Sequence, residues 1–125
     1  MAVELNHTIV HAHDAVASAR FYAEVFGLAD PVPFGPFQTV ATANRVSLDF
    51  IDAGDYDFVP QHYAFLVSDD EFDEIFDRVT GRGLEYWADP ARTRPGEIST
   101  WKGRGCYFLD PSDHFLEIIT EPYVD

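Results

Sequence analysis

Two stretches of the chain share one pattern of apolar and polar positions. Residues 5–28 read LNHTIVHAHDAVASARFYAEVFGL, and residues 60–84 read PQHYAFLVSDDEFDEIFDRVTGRGL. Each opens on a short alternating run, which predicts a half-buried strand. Each then meets an acidic residue and continues at helical spacing. At an offset of 55, His7 falls on His62, Asp14 on Asp69 and Phe21 on Phe76. Ser68-Asp69-Asp70-Glu71 is a capping box. Phe72, Ile75, Phe76 and Val79 then mark one helix face, and Gly81 or Gly83 ends it. The first helix starts at the N-cap Asp14, carries Val16, Ala19, Ala23 and Phe26 on one side, and stops at Gly27. Further strands are predicted over 37–43, 46–52, 85–88, 105–109 and 115–120, with an irregular edge strand at 32–35 among three prolines. Each half therefore reads βαβββ, one over about residues 1–56 and one over about 60–121 of a single 1–125 domain. A half of roughly 60 residues cannot bury an adequate core alone, so the halves pack together or on a second chain. A late echo, Leu48-Asp49-Phe50 against Leu116-Glu117-Ile118, has an offset of 68. The second half thus carries extra residues, most simply within 88–104.

Alternation across a strand sorts the polar residues by face. His7, Ile9 and His11 share one face of the first strand, opposite Thr8, Val10 and Ala12. His62 shares a face with Ala64 and Leu66, leaving Tyr63, Phe65 and Val67 for the helix side. In the two late strands, Leu48, Phe50, Leu116 and Ile118 suit the helix side and turn Asp49 and Glu117 away from it. Two histidines and two carboxylates thus occupy the non-helix faces of related strands. A lone strand histidine is ordinarily a satisfied polar residue. Two at equivalent positions, each with a carboxylate echo, point instead to a two-histidine, one-carboxylate site for Fe(II) or another divalent metal. His11 lines the same cleft, His13 faces solvent, and His114 is structural or exposed.

Composition narrows the function. Twenty-two acidic against 8 basic residues give a net charge of −14, which repels nucleic acid. An apolar content of 46% supports a folded domain. No apolar run reaches the ~20 residues of a membrane span, and the N-terminus lacks a signal-peptide pattern. The single cysteine, Cys106, excludes an intrachain disulfide and fits a cytoplasmic protein. Arg92, Arg94, Lys102 and Arg104 hold half of the basic residues within 88–104. They meet either an anionic substrate or solvent. Phe34, Phe37, Trp87, Trp101 and Tyr107 are either an aromatic substrate wall or core and interface residues.

Three motifs resemble the vicinal oxygen chelate superfamily, which includes glyoxalase I, extradiol dioxygenases, fosfomycin-resistance transferases and bleomycin-resistance proteins. They are Leu5-Asn6-His7 through Phe21-Tyr22 to Phe26-Gly27-Leu28, His62-Tyr63-Ala64-Phe65, and Tyr107-Phe108-Leu109-Asp110-Pro111 through Glu117. The resemblance implies an α+β fold of two paired βαβββ modules, each a curled half-barrel sheet. It implies the metal ligands His7, His62 and Glu117, with Fe, Mn, Ni or Zn as the ion. Asp49 matches a fourth-ligand position and either binds metal, binds through water or acts as a base. Asp49, His11 or Tyr107 handles protons. Chains of this length often pair as homodimers, with His7 from one copy and His62 and Glu117 from the other. The expected function is that of a metal-dependent lyase, isomerase or dioxygenase acting on a small oxygen-bearing substrate. The alternative is a non-catalytic binder of an antibiotic or aromatic metabolite.

Overall fold

The computed structural model describes residues 2–124, and the chain divides into two compact units, Met1–Val59 and Pro60–Asp125. The first contains β1 (His7–Ala12), α1 (Ala15–Phe26), β2 (Val32–Phe34), β3 (Phe37–Ala41) and β4 (Ser47–Asp52). The second contains β5 (His62–Leu66), α2 (Asp69–Gly81), β6 (Tyr86–Trp87), β7 (Gly105–Leu109) and β8 (Phe115–Ile119). The protein is α+β, and the repeat carries through to sheet topology. The strand orders are β1-β4-β3-β2 and β5-β8-β7-β6, each an open four-stranded mixed sheet. The first strand pairs parallel to the last in both, and the other pairs are antiparallel. Residues 88–104, the extra segment of the second unit, separate β6 from β7, where only Gly35 and Pro36 separate β2 from β3. No helix among the described residues is long and apolar enough to cross a membrane.

Capping defines both helices. The Asp14 carboxylate accepts from the Ala17 amide at 3.1 Å, and Asp52 at the end of β4 accepts from the Ala15 amide at 2.6 Å. Gly27 closes α1 in the left-handed region at φ 69°. In α2 both halves of the Ser68–Glu71 capping box form, and these bonds hold the Glu71 carboxyl below its ordinary pKa. The buried face of α1 differs from the predicted one. Ala19 and Ala23 are buried as expected, but so are Ala15, Ser18, Tyr22 and Val25, whereas Val16 is 48% exposed. The inward series begins one residue earlier, because the Tyr22 ring packs on Phe50 at 4.7 Å and brings the small Ala15, Ser18 and Ala19 with it.

In the second unit the 88–104 segment returns to the helix and to the last strand. The Arg104 guanidinium lies 4.4 Å from the Phe72 ring centroid and bonds Asp73 at 2.7 Å and Asp69 at 3.1 Å. Arg104 is thus a clamp on α2, which accounts for one of the four clustered basic residues. Its backbone pairs with Thr120, directly after β8. Cys106 is fully buried, and burial pushes its thiol up to about 12.

Gly103 makes the return possible. It sits at φ 63°, and a Cβ there would meet Thr120 Oγ1 and lie 2.7 Å from Glu121 Cγ. Gly103→Ala should therefore lower unfolding stability by about 1–3 kcal/mol, from backbone strain and the collision together. Urea unfolding measures the loss. A change below experimental error would mean that the tail after β8 yields freely.

Candidate metal centre

Register decides which side chains of the second sheet meet. In the β5–β8 pair His62 stands opposite Phe115 and Ala64 opposite Glu117. In the neighbouring pairs Glu117 stands opposite Tyr107, and Tyr107 opposite Trp87. Trp87, Tyr107, Glu117 and Ala64 therefore form one row across the sheet, and Phe115 with His62 forms part of the next. All lie on one face, since rows two residues apart share it. Ala64 is small, so the His62 ring can lean across the rows toward Glu117.

It does so in a defined orientation. His62 Nδ1 lies 2.8 Å from the Phe115 carbonyl oxygen. A carbonyl can only accept, so Nδ1 carries the proton and donates it. The other nitrogen, Nε2, lies 3.0 Å from Glu117 Oε1. Two lone pairs do not face one another at that distance without a proton or a cation between them. Metal bonds of about 2.1 Å at right angles place two ligand atoms about 3.0 Å apart, so this pair fits two neighbouring positions on one cation. The carbonyl behind Nδ1 fixes the ring so that Nε2 faces Glu117, the kind of bond that orients an imidazole for a metal.

Glu117 is only 1% exposed. A carboxylate so buried needs partners on both oxygens. Oε2 accepts the hydroxyl of Tyr123, whose own oxygen lies 3.1 Å from Tyr107 Oη. Since Tyr123 donates to Glu117, Tyr107 donates to Tyr123. Burial chiefly, then the bond to Tyr123 and the charge of Glu117, push the Tyr107 hydroxyl well above the ordinary tyrosine range. Tyr107 is thus a proton donor near neutrality rather than a phenolate base. Tyr123 was not singled out in the sequence. It lies past the last periodic element, and its only signal is an aromatic in an acidic tail.

The equivalent positions of the first sheet differ in chemistry. His7 stands opposite Ser47 and Ile9 opposite Asp49, so His7 with Asp49 repeats the placement of His62 with Glu117. His7 Nδ1 lies 2.7 Å from Asn6 Oδ1, which again leaves Nε2 outward. Asp49, one methylene shorter, accepts the Ser47 hydroxyl at 2.6 Å. His11 is exposed on the same face, with its ring 6.4 Å from that of Tyr56 and 6.0 Å from that of Phe58. Exposed His13 lies 5.1 Å from Phe58. Among the described residues no group of three His, Cys, Asp or Glu side chains is gathered tightly enough to hold a metal ion. His62 and Glu117 stand as a pair. His114 is structural: it is 1% exposed and accepts the Gln61 amide at Nδ1 at 2.8 Å.

Of the five candidate wall aromatics, Trp87 and Tyr107 border the pair and Trp101 packs on Tyr123 at 6.0 Å. Phe34 and Phe37 belong to the first unit, on β2 and β3. Phe115 joins the wall, stacked on Tyr107 at 5.3 Å and 18°.

Known proteins are similar to this chain to different depths. The oxidase ChaP-H1 is 62% identical, with a TM-score of 0.96 over 99% of this chain and all of its own. The glutathione transferase FosA of Serratia marcescens is 27% identical over 94% of this chain and 81% of its own length. The metallothiol transferase FosB of Lysinibacillus sphaericus (strain C3-41) is 27% identical over 93% and 81%. Residues 4–118 match the family model of the Glyoxalase/Bleomycin resistance protein/Dioxygenase superfamily, and the chain belongs to that superfamily.

Proposed function

We propose that the protein is a divalent-metal oxidase acting on a small, oxygen-bearing aromatic substrate, with dioxygen as the oxidant. The observation that carries this reading is the His62–Glu117 pair, aimed by Phe115 and Tyr123 and spaced for one cation. The 62% identity to an oxidase supports oxidation over the thiol transfers named for the 27% relatives. A metal bound there supplies Lewis acidity and a meeting point for substrate oxygens and oxidant. His62 and Glu117 hold it, and its identity among Fe, Mn, Ni and Zn is left to experiment. Tyr107 acts through Tyr123: it donates to the Tyr123 hydroxyl, which in turn donates to Glu117 and holds that carboxylate in place. Trp87, Tyr107 and Phe115 supply an aromatic wall for a planar substrate. In the net reaction the substrate loses a pair of electrons and a pair of protons, and dioxygen takes up both pairs.

The third ligand is proposed to be His7 of a second copy, in a homodimer whose cleft the two chains share. Asp49, with one oxygen held by Ser47, is the proposed base. His11, against Tyr56 and Phe58, is proposed to touch substrate.

Three measurements test this reading. Saturating Mn(II), Fe(II), Ni(II) or Zn(II) should stabilise the protein by about 2–4 kcal/mol, read as a rise in melting temperature. His62→Ala should keep its circular dichroism spectrum and lose the rise, whereas no response to any of the four ions in the unaltered protein defeats the metal reading. Mixing His7→Ala with His62→Ala protein after subunit exchange should restore about a quarter of wild-type metal sites, because half of the dimers are mixed and each holds one intact site of two. No recovery argues for a site within one chain or none. Finally, metal-loaded protein should consume oxygen with some member of a panel of hydroxylated aromatics and transfer no thiol to fosfomycin. The reverse result moves it to the chemistry named for FosA.

A further inference from the structure

Arg92 is a basic residue of the 88–104 segment whose side chain lies on aromatic rings rather than on a carboxylate. Arg104 is committed to Asp69 and Asp73. The Arg92 guanidinium, in a chain of net charge −14, has no ion pair or hydrogen bond among the described residues. Its contacts are two rings, with the guanidinium carbon 5.4 Å from the Trp87 centroid and 4.9 Å from that of Phe115. These rings border the metal pair. Phe115 stacks on Tyr107, lies 5.8 Å from the His62 ring, and presents its carbonyl to His62 Nδ1.

The loop around Arg92 is tied down. Asp89 accepts the Thr93 hydroxyl at 2.6 Å and the Arg94 amide at 2.9 Å. Thr93 thereby holds the Asp89 carboxyl below its ordinary pKa. The Arg92 amide bonds the Asp89 carbonyl at 3.2 Å, and the Ala88 amide bonds the Arg94 carbonyl at 3.1 Å. Arg92 itself sits at φ 59°, in the left-handed region that favours glycine. A long cation is therefore held where glycine would rest more easily, on a loop with little freedom to swing it away.

A guanidinium lying on aromatic rings keeps its N–H edges free, and those edges match a carboxylate in a two-point fork. We infer that Arg92 is an anion subsite of this cleft, and that the substrate is an aromatic carboxylate whose carboxylate meets the N–H edges that the guanidinium, stacked on Phe115 and Trp87, leaves open. This rests on the proposed metal centre, which takes the other end of the same molecule. Arg92 selects for charge and fixes which end faces His62 and Glu117.

Binding of catechol and of 3,4-dihydroxybenzoate to the Mn(II)-loaded protein, followed by tryptophan fluorescence at low salt, tests the subsite. The wild type should bind the carboxylate about tenfold or more tightly than catechol, the range expected of a charge-assisted fork. Arg92→Gln should abolish that preference by weakening the carboxylate at least tenfold more than catechol, with metal content retained. Arg92→Lys should keep only part of it. No preference in the wild type, or an undiminished preference in Arg92→Gln, overturns the subsite. Failure of catechol to bind the loaded protein counts against the metal reading alone. The subsite then stands or falls on whether Arg92→Gln weakens binding of the carboxylate.

Discussion

The parallel pairing of β5 with β8 is the constraint on which the site depends. It sets His62 beside Phe115 and Glu117 one row away on the same face. A slip of one residue would send every side chain of β8 to the other face. Leu116 and Ile118 are fully buried on the helix side, so such a slip would expose two core residues and bury a charge among them. The apolar register and the site register are thus one quantity. The backbone carbonyl that aims His62 comes from the same pairing, so no additional side chain has to be recruited to orient the imidazole.

The two modules carry one topology with unequal chemistry. Asp49 occupies the register position of Glu117, yet it falls back on Ser47, whereas Glu117 reaches His62 and takes Tyr123 behind it. The neighbours diverge likewise. Ile9 stands where the second sheet has Ala64, Thr39 where it has Tyr107, and Val32 where it has Trp87. The repeat is therefore used unevenly: one copy holds the His62–Glu117 pair beside Trp87, Tyr107 and Phe115, and the other holds His7 and a shorter carboxylate.

What could be read in the sequence follows the range of the interactions. The strand faces were legible because alternation repeats every two residues, and the α2 start because a capping box is local. The buried face of α1 was misplaced by one residue. Its several alanines leave the helical phase ambiguous, and a contact to Phe50, far along the chain, resolved it. His7, His62, Asp49 and Glu117 were legible as repeat equivalents, but Tyr123 was not, since its place is set by the path of the tail past Gly103. The clustered arginines looked alike in sequence. Only the fold separates Arg104, engaged with two aspartates, from Arg92, engaged with rings.

Burial of Cys106 has a consequence for durability. Oxidative damage to protein sulfur begins at exposed thiolates and thioethers. Here the one thiol is sealed in the sheet and held in its protonated form, and the one methionine is residue 1. The oxidase proposed above would meet its own reactive by-products at every turnover. This chain offers them almost no sulfur to attack, which favours a long working life without a reducing partner to repair it.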